Sequence, residues 1–127
     1  MTWVQNALAD YGRQLGFSTL ALDEHGVAQI ELQSGWVLAM ELVPRGSEED
    51  VLVYLIRPLG YEGTAIKLKA LKRIHYLQAP GLPLQLACRG DGPDEQMIVL
   101  TRMGSRRCTP QALGLTFDSL RAWADEL

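Results

Sequence analysis

The chain has 127 residues, 47% of them hydrophobic and 21% charged, with a formal net charge of -3. That length suits a single domain, 1–127, around one core, and the balance excludes a disordered chain. A weakly acidic chain is poorly suited to general polyanion binding, which rests on phosphate neutralisation by Lys and Arg. The N-terminus lacks the basic start and apolar run of a signal peptide, and no apolar stretch is long enough to span a bilayer. Cys88 and Cys108 are the only cysteines and do not outline a disulfide framework, so a soluble, reducing compartment is expected.

Thr2 is placed to cap a first helix. Val4, Leu8, Tyr11 and Leu15 recur at helical spacing, Trp3 and Ala7 widen the stripe, and Gly16 offers a stop. Phe17 to Leu22 is strand-like, and Asp23-Glu24-His25-Gly26 is a turn signal. Val27 to Gln33 alternates, Ser34-Gly35 turns, and Trp36 to Val43 reads as a longer strand. Pro44 to Asp50 is expected to be a polar loop before a strand from Val51 to Ile56. Short connections favour an antiparallel meander. A second helix is predicted from about Gly63 to Gln78, stopped by Ala79 to Pro83. Leu84 to Cys88 and Gln96 to Arg102 form another strand pair. Thr109-Pro110 is a cap followed by a first-turn proline, and Leu113, Phe117, Leu120 and Ala124 continue a helix to the end. The expected fold is α+β, a twisted antiparallel sheet flanked by helices in the order α-β-β-β-α-β-β-α.

Two segments carry more apolar surface than one core needs. Trp36, Leu38, Met40 and Leu42 face one side of their strand, while Val37, Ala39 and Val43 share the other with Glu41. Val51, Val53 and Leu55 oppose Leu52, Tyr54 and Ile56. An antiparallel sheet in a small domain usually has one wet face, so the second face is expected to be covered by the chain's own helices or by another chain. In the middle helix, Ile66, Leu68, Ala70, Leu71, Ile74, His75 and Leu77 span an arc of roughly 200°, interrupted by Lys67, whereas one contact needs about 100°. A two-fold partner helix or deeper burial in the same subunit accounts for that surplus.

Catalytic chemistry is not visible. Asp23, Glu24 and His25 fall in a turn that wants Asp and Gly for backbone reasons. His75 has no ligand at helical spacing, and the two cysteines lack zinc or redox spacing. Glu48, Glu49 and Asp50 read as a solvated acidic run, and Arg102, Arg106 and Arg107 as a modest basic cluster. Gly90-Asp-Gly92 lacks the lysine and serine of a phosphate loop. Trp3, Trp36 and Trp123 read as core or interface anchors. No nucleophile, base and oxyanion site assemble, and no metal or cofactor is expected.

The element order and several stretches resemble the class I chaperones of bacterial type III secretion, over nearly the full length. Leu20-Ala-Leu-Asp-Glu-His-Gly-Val-Ala-Gln-Ile-Glu-Leu32 is similar to the family's early hairpin. The helix with Leu68, Leu71 and Ile74 falls where the family places its dimerisation helix. Leu84-Gln-Leu86 and Ile98-Val-Leu100 resemble the last hairpin, and Phe117 to Trp123 the closing helix. Where family members often carry a leucine-rich stretch ending in asparagine, this chain has Lys72-Arg-Ile-His-Tyr76. The resemblance implies a homodimer in the bacterial cytosol, with a seam on Leu68, Leu71, Ile74, His75, Leu84 and Leu86. It also implies a client, the N-terminal segment of a secreted effector. An apolar strip of Leu8, Leu15, Leu20, Ile30, Leu38 and Met40 is the candidate surface for that client. A regulatory protein-binding module on the same fold, or a compact α+β thioesterase-like enzyme, are the competing readings.

Overall fold

A computed structural model describes residues 3–16, 20–76 and 84–127, with side chains described only up to residue 73 in the second stretch. The helical stripe at the start folds as α1 (Trp3–Gln14), burying Val4, Ala7, Leu8 and Tyr11. Gly16, at φ 93°, turns the chain out of the helix. The expected cap Thr2 lies outside the described residues, as do residues 17–19 of the Phe17–Leu22 segment. Its remaining residues, Leu20 to Leu22, form no strand. They pack instead: Leu20 lies so close to α1 that a Cβ on Gly12 would meet the Leu20 Cβ at 2.6 Å.

Strands β1 (Val27–Glu31), β2 (Val37–Arg45), β3 (Glu48–Pro58), β4 (Gln85–Arg89) and β5 (Gln96–Gly104) form one sheet in the order β1-β2-β3-β5-β4, every neighbouring pair antiparallel. The helices α2 (Gly63–Tyr76) and α3 (Pro110–Asp125) complete the α-β-β-β-α-β-β-α order. The expected stop of α2 at Ala79 to Pro83 lies outside the described residues.

The expected loop from Pro44 to Asp50 is strand instead. Arg45 pairs with Glu48, so the hairpin closes in two residues, with Gly46 at φ 61° in the first central position that a II′ turn gives to glycine. Polar residues suggested a loop, but they form a hairpin tip projecting beyond the core. Pro44 is tolerated because β1 stops pairing at Glu41 and leaves that side of β2 open.

The three helices share one face of the sheet. Ala28, Ile30, Leu38, Met40, Val51, Val53, Leu55, Met97 and Val99 join Val4, Leu8 and Tyr11 of α1, Ile66 and Ala70 of α2, and Leu113, Phe117 and Leu120 of α3 in one cluster. Two arginines hold the C-terminal end of α3, where carbonyls lack helical partners. Arg57 of β3 donates to the Ala124 carbonyl at 2.9 Å with its guanidinium over Trp36, and Arg73 of α2 donates to the Trp123 carbonyl at 3.1 Å and pairs with Glu126.

At the other end of α3, the Thr109 hydroxyl accepts the Ala112 N–H at 3.0 Å. Thr109→Ala is expected to lower stability by about 1 kcal/mol, read as a lower urea midpoint with unchanged slope. Next to it, burial pushes the Cys108 thiol up to about 11. A thiol-specific reagent at pH 8 is expected to leave Cys108 unmodified in native protein and to label it on unfolding, whereas Cys88 is exposed on β4.

Candidate protein-docking site

Alternation along the strands puts a second apolar set on the sheet face away from the helices. The register aligns these side chains in rows. Val37, Ile56, Ile98 and Ala87 oppose one another across β2, β3, β5 and β4, and Ala39, Tyr54 and Leu100 form the next row. Leu52 follows, flanked by Glu41 and Arg102. Ala39 and Ile56 are only 1% and 3% exposed, yet they stand outside the core cluster. Their neighbours Val37, Leu52, Tyr54, Ile98 and Leu100 are half-buried. Among the described residues, no helix packs over this outer face.

Polar groups rim it. Gln29 and Glu31 lie exposed on the β1 side. On the β5–β4 side, Arg102 pairs with the buried Asp50 at 3.3 Å and Arg89 Nε donates to Gln96 at 2.7 Å, while Arg45 at the β2–β3 hairpin tip approaches the Asp50 carboxylate at 3.5 Å. At the centre, burial and then the Glu41 carboxylate raise the Tyr54 pKa, so its hydroxyl stays a proton donor. A contiguous apolar surface with a polar rim is the ordinary make-up of a protein-docking site.

The second surface lies on α2. The wide apolar arc divides: Ile66 and Ala70 enter the core, while Leu68 and Leu71 remain 55% and 58% exposed. Lys67, which interrupts the arc, donates to both carboxylate oxygens of Glu95 at 3.0 and 2.9 Å, a bond that raises its pKa. A cleft of about 150 Å3 opens between α2 and β4, lined by Lys67, Ala70, Leu71, Leu86, Cys88 and Met97. Strand β4 is outermost in the sheet, so one of its edges has no described strand partner.

The residues singled out from sequence fall into distinct places. Leu8, Ile30, Leu38 and Met40 are core, and present no surface while the helices stay docked. Leu15 is exposed at the end of α1, and Leu20 is half-buried against Gly12. Leu71 and Leu86 meet at the α2–β4 cleft, Leu68 projects outward, and Leu84 is buried. The side chains of Ile74 and His75 lie outside the described set. Asp23 is committed to its turn, accepting the His25 and Val27 N–H groups at 2.8 and 3.0 Å, bonds that lower its pKa. Among the described residues, no three His, Cys, Asp or Glu side chains gather as a metal site, and no helix is long and apolar enough to cross a membrane. Trp3 is exposed, Trp36 stacks under Arg57, and Trp123 is buried. The outer-face residues Ile98 and Leu100 were legible only as a hairpin. Their partners on β2 and β3 gave the stronger signal, because both alternating sets there are apolar.

No family model matches the chain, and no curated protein matches it. Solved structures do. It superimposes on a chain of the Yersinia pestis type III secretion chaperone SycH in complex with a stable fragment of YscM2, with a TM-score of 0.67 at 17% identity, over 99% of both chains. The HopA1–SchA chaperone–effector complex gives a TM-score of 0.67 at 17% identity, over 98% of this chain and 91% of that one. The ExsC–ExsE complex gives 0.69 at 19% identity, over 95% and 87%. Along its whole length, the chain has the fold of the class I type III secretion chaperones.

Proposed function

We propose that the protein is a homodimeric secretion chaperone that binds the N-terminal segment of a type III effector and keeps it fit for export. The observation that carries this reading is the outer sheet face, apolar across four strands, rimmed by polar groups and uncovered by the chain's own described helices. Similar structures are complexes with an effector, with a stable fragment of YscM2 and with ExsE, which supports the same use of the fold here. Leu68, Leu71 and the α2–β4 cleft supply the two-fold seam, and Leu15 and Leu20 extend the client surface onto α1. Binding proceeds by burial of apolar side chains and by strand addition at open edges, without catalysis. The protein acts in the bacterial cytoplasm, where its client is made.

The test is capture from the native host by tagged protein, read by mass spectrometry, followed by truncation of the captured partner. A secreted protein retained through its N-terminal segment is the expected result. A partner that is never secreted, such as a transcription regulator, would favour the regulatory module instead. Purified protein with ATP and magnesium is expected to show no turnover above buffer. Activity that survives repurification and disappears with a point substitution would overturn the non-enzymatic reading.

A further inference from the structure

Helix α2 is held to its own subunit by little apolar surface. Among its described side chains, Ile66 and Ala70 alone join the core cluster. At about 100° per residue, Ala70 lies roughly 40° round the helix from Ile66. Two contacts that close together, one of them a methyl group, restrain the roll of a helix weakly, because apolar burial follows area and has no direction. Arg73 ties the far end of α2 to the Trp123 carbonyl and to Glu126. It lies roughly 20° from Ile66 on the other side, close to the same line. Arg73 therefore fixes where the helix sits more than how it is turned.

Lys67 is placed differently. It lies roughly 60° beyond Ala70, and Leu71 lies roughly 40° beyond Lys67, so Lys67 stands between the buried line and the exposed leucine. Its Nζ donates to both carboxylate oxygens of Glu95 at 3.0 and 2.9 Å. Charge-assisted bonds of this kind are stronger than neutral ones. Glu95 is itself held. Its N–H donates to the Gly92 carbonyl at 3.2 Å, and its carbonyl accepts the N–H of the buried Leu59 at 3.0 Å. Its carboxylate lies against the first turn of α2, where a Cβ on Gly63 would stand 3.6 Å from Oε1. The pair thus joins α2 to a fixed point beside β5, on the flank that carries Leu71. Lys67, Leu71, Leu86 and Cys88 line one cleft, so a roll of α2 about Ile66 moves Leu71 relative to β4.

We infer that Lys67 and Glu95 are positioning residues for the two-fold seam: their bond stops α2 from rolling and sets the direction in which Leu71 meets the second copy. This rests on the seam of the proposed function and specifies what orients it. Neither residue has to touch the partner.

Two measurements on the full chain test it. Glu95→Gln keeps the shape and removes the charge, and Lys67→Met keeps the stem and removes the donor. By sedimentation equilibrium, each is expected to raise the dimer dissociation constant at least about tenfold, and the double variant no more than about threefold beyond the more affected single, because either change breaks the same bond. Lys67→Arg can still pair with Glu95 and is expected to stay within about threefold of the unaltered protein. The second measurement uses Leu71→Arg, in which no partner covers the cleft. Adding Glu95→Gln to it is expected to speed thiol labelling of the exposed Cys88 at least about threefold while the buried Cys108 stays unlabelled. An unchanged Cys88 rate overturns the inference. Labelling of both cysteines also overturns it, because that reports general unfolding and not a roll of α2. So does an additive loss in the double variant, which would have each residue act on the partner by itself. Should one single variant fold poorly, the other decides. A monomeric unaltered protein removes the seam and the inference together, whereas a dimer indifferent to both substitutions removes the inference alone.

Discussion

Leu71→Arg is expected to yield a folded monomer in place of a dimer. Leu71 is 58% exposed on α2, so within one subunit a charge there meets water and costs little. Unfolding of the variant is therefore not expected from intrasubunit packing. In a two-fold seam the outcome differs. Each dimer gains two guanidinium groups beside a contact formed by Leu68, Leu71 and the α2–β4 cleft, where the one carboxylate nearby, Glu95, is already engaged by Lys67. Charges brought out of water without partners are penalised by several kcal/mol, and two-fold symmetry imposes the change on both copies. At 1.4 kcal/mol per decade, dissociation should rise by at least about 100-fold. Light scattering at micromolar concentration should return twice the chain mass for the unaltered protein and a single chain mass for the variant, with nearly unchanged far-UV circular dichroism. Leu115→Arg is a control, because Leu115 is 70% exposed on α3, outside the proposed seam, and its variant should stay dimeric. A folded dimer carrying Leu71→Arg would show that the seam lies on another face.

Local chemistry made much of the fold legible. Thr109-Pro110 announced α3 because a side-chain cap and a proline act within one turn, and the Thr109–Ala112 bond is present. The double apolar alternation of Trp36 to Val43 and Val51 to Ile56 announced a sheet with two apolar faces, and the register separates them. The wide arc of α2 likewise divides into buried Ile66 and Ala70 and exposed Leu68 and Leu71. The hairpin tip was misread because polarity there reports solvent, and strands reach into solvent as readily as loops do. The candidate client strip was harder still. Leu8, Ile30, Leu38 and Met40 are distant in sequence and chemically alike, and only tertiary packing decides whether such residues face a partner or their own helices. Alternation separates the two faces of a strand without saying which face the helices will cover. That depends on α1 and α3 docking over Leu38 and Met40 rather than over Ala39 and Tyr54.

That docking should be most sensitive to Phe117. Its side chain is 2% exposed within the core cluster, and its ring stacks on Tyr11 of α1 with centroids 5.7 Å apart and planes 25° from parallel. Phe117 therefore ties α3 to α1 above the sheet, the arrangement that leaves the opposite face free. Gly114, one turn earlier, lies against the same ring, where an added Cβ would make an ordinary contact with Tyr11 at 3.4 Å. Phe117→Ala removes a buried ring and leaves a cavity that its surroundings fill only partly, at a cost of about 3–5 kcal/mol. Loss of the aromatic pair lies within that figure, because the pair contributes about 0.5–1.5 kcal/mol beyond area. A domain of this size has about 5–15 kcal/mol in total, so the variant should lose roughly a fifth of its stability at the least. The urea midpoint should fall steeply with little change in slope. Far-UV circular dichroism at low temperature should stay close to that of the unaltered protein. Phe117→Leu keeps most of the volume and should recover more than half of the loss. If Phe117→Ala shifts the midpoint by less than the Thr109→Ala cap variant does, α1 and α3 do not meet through this ring.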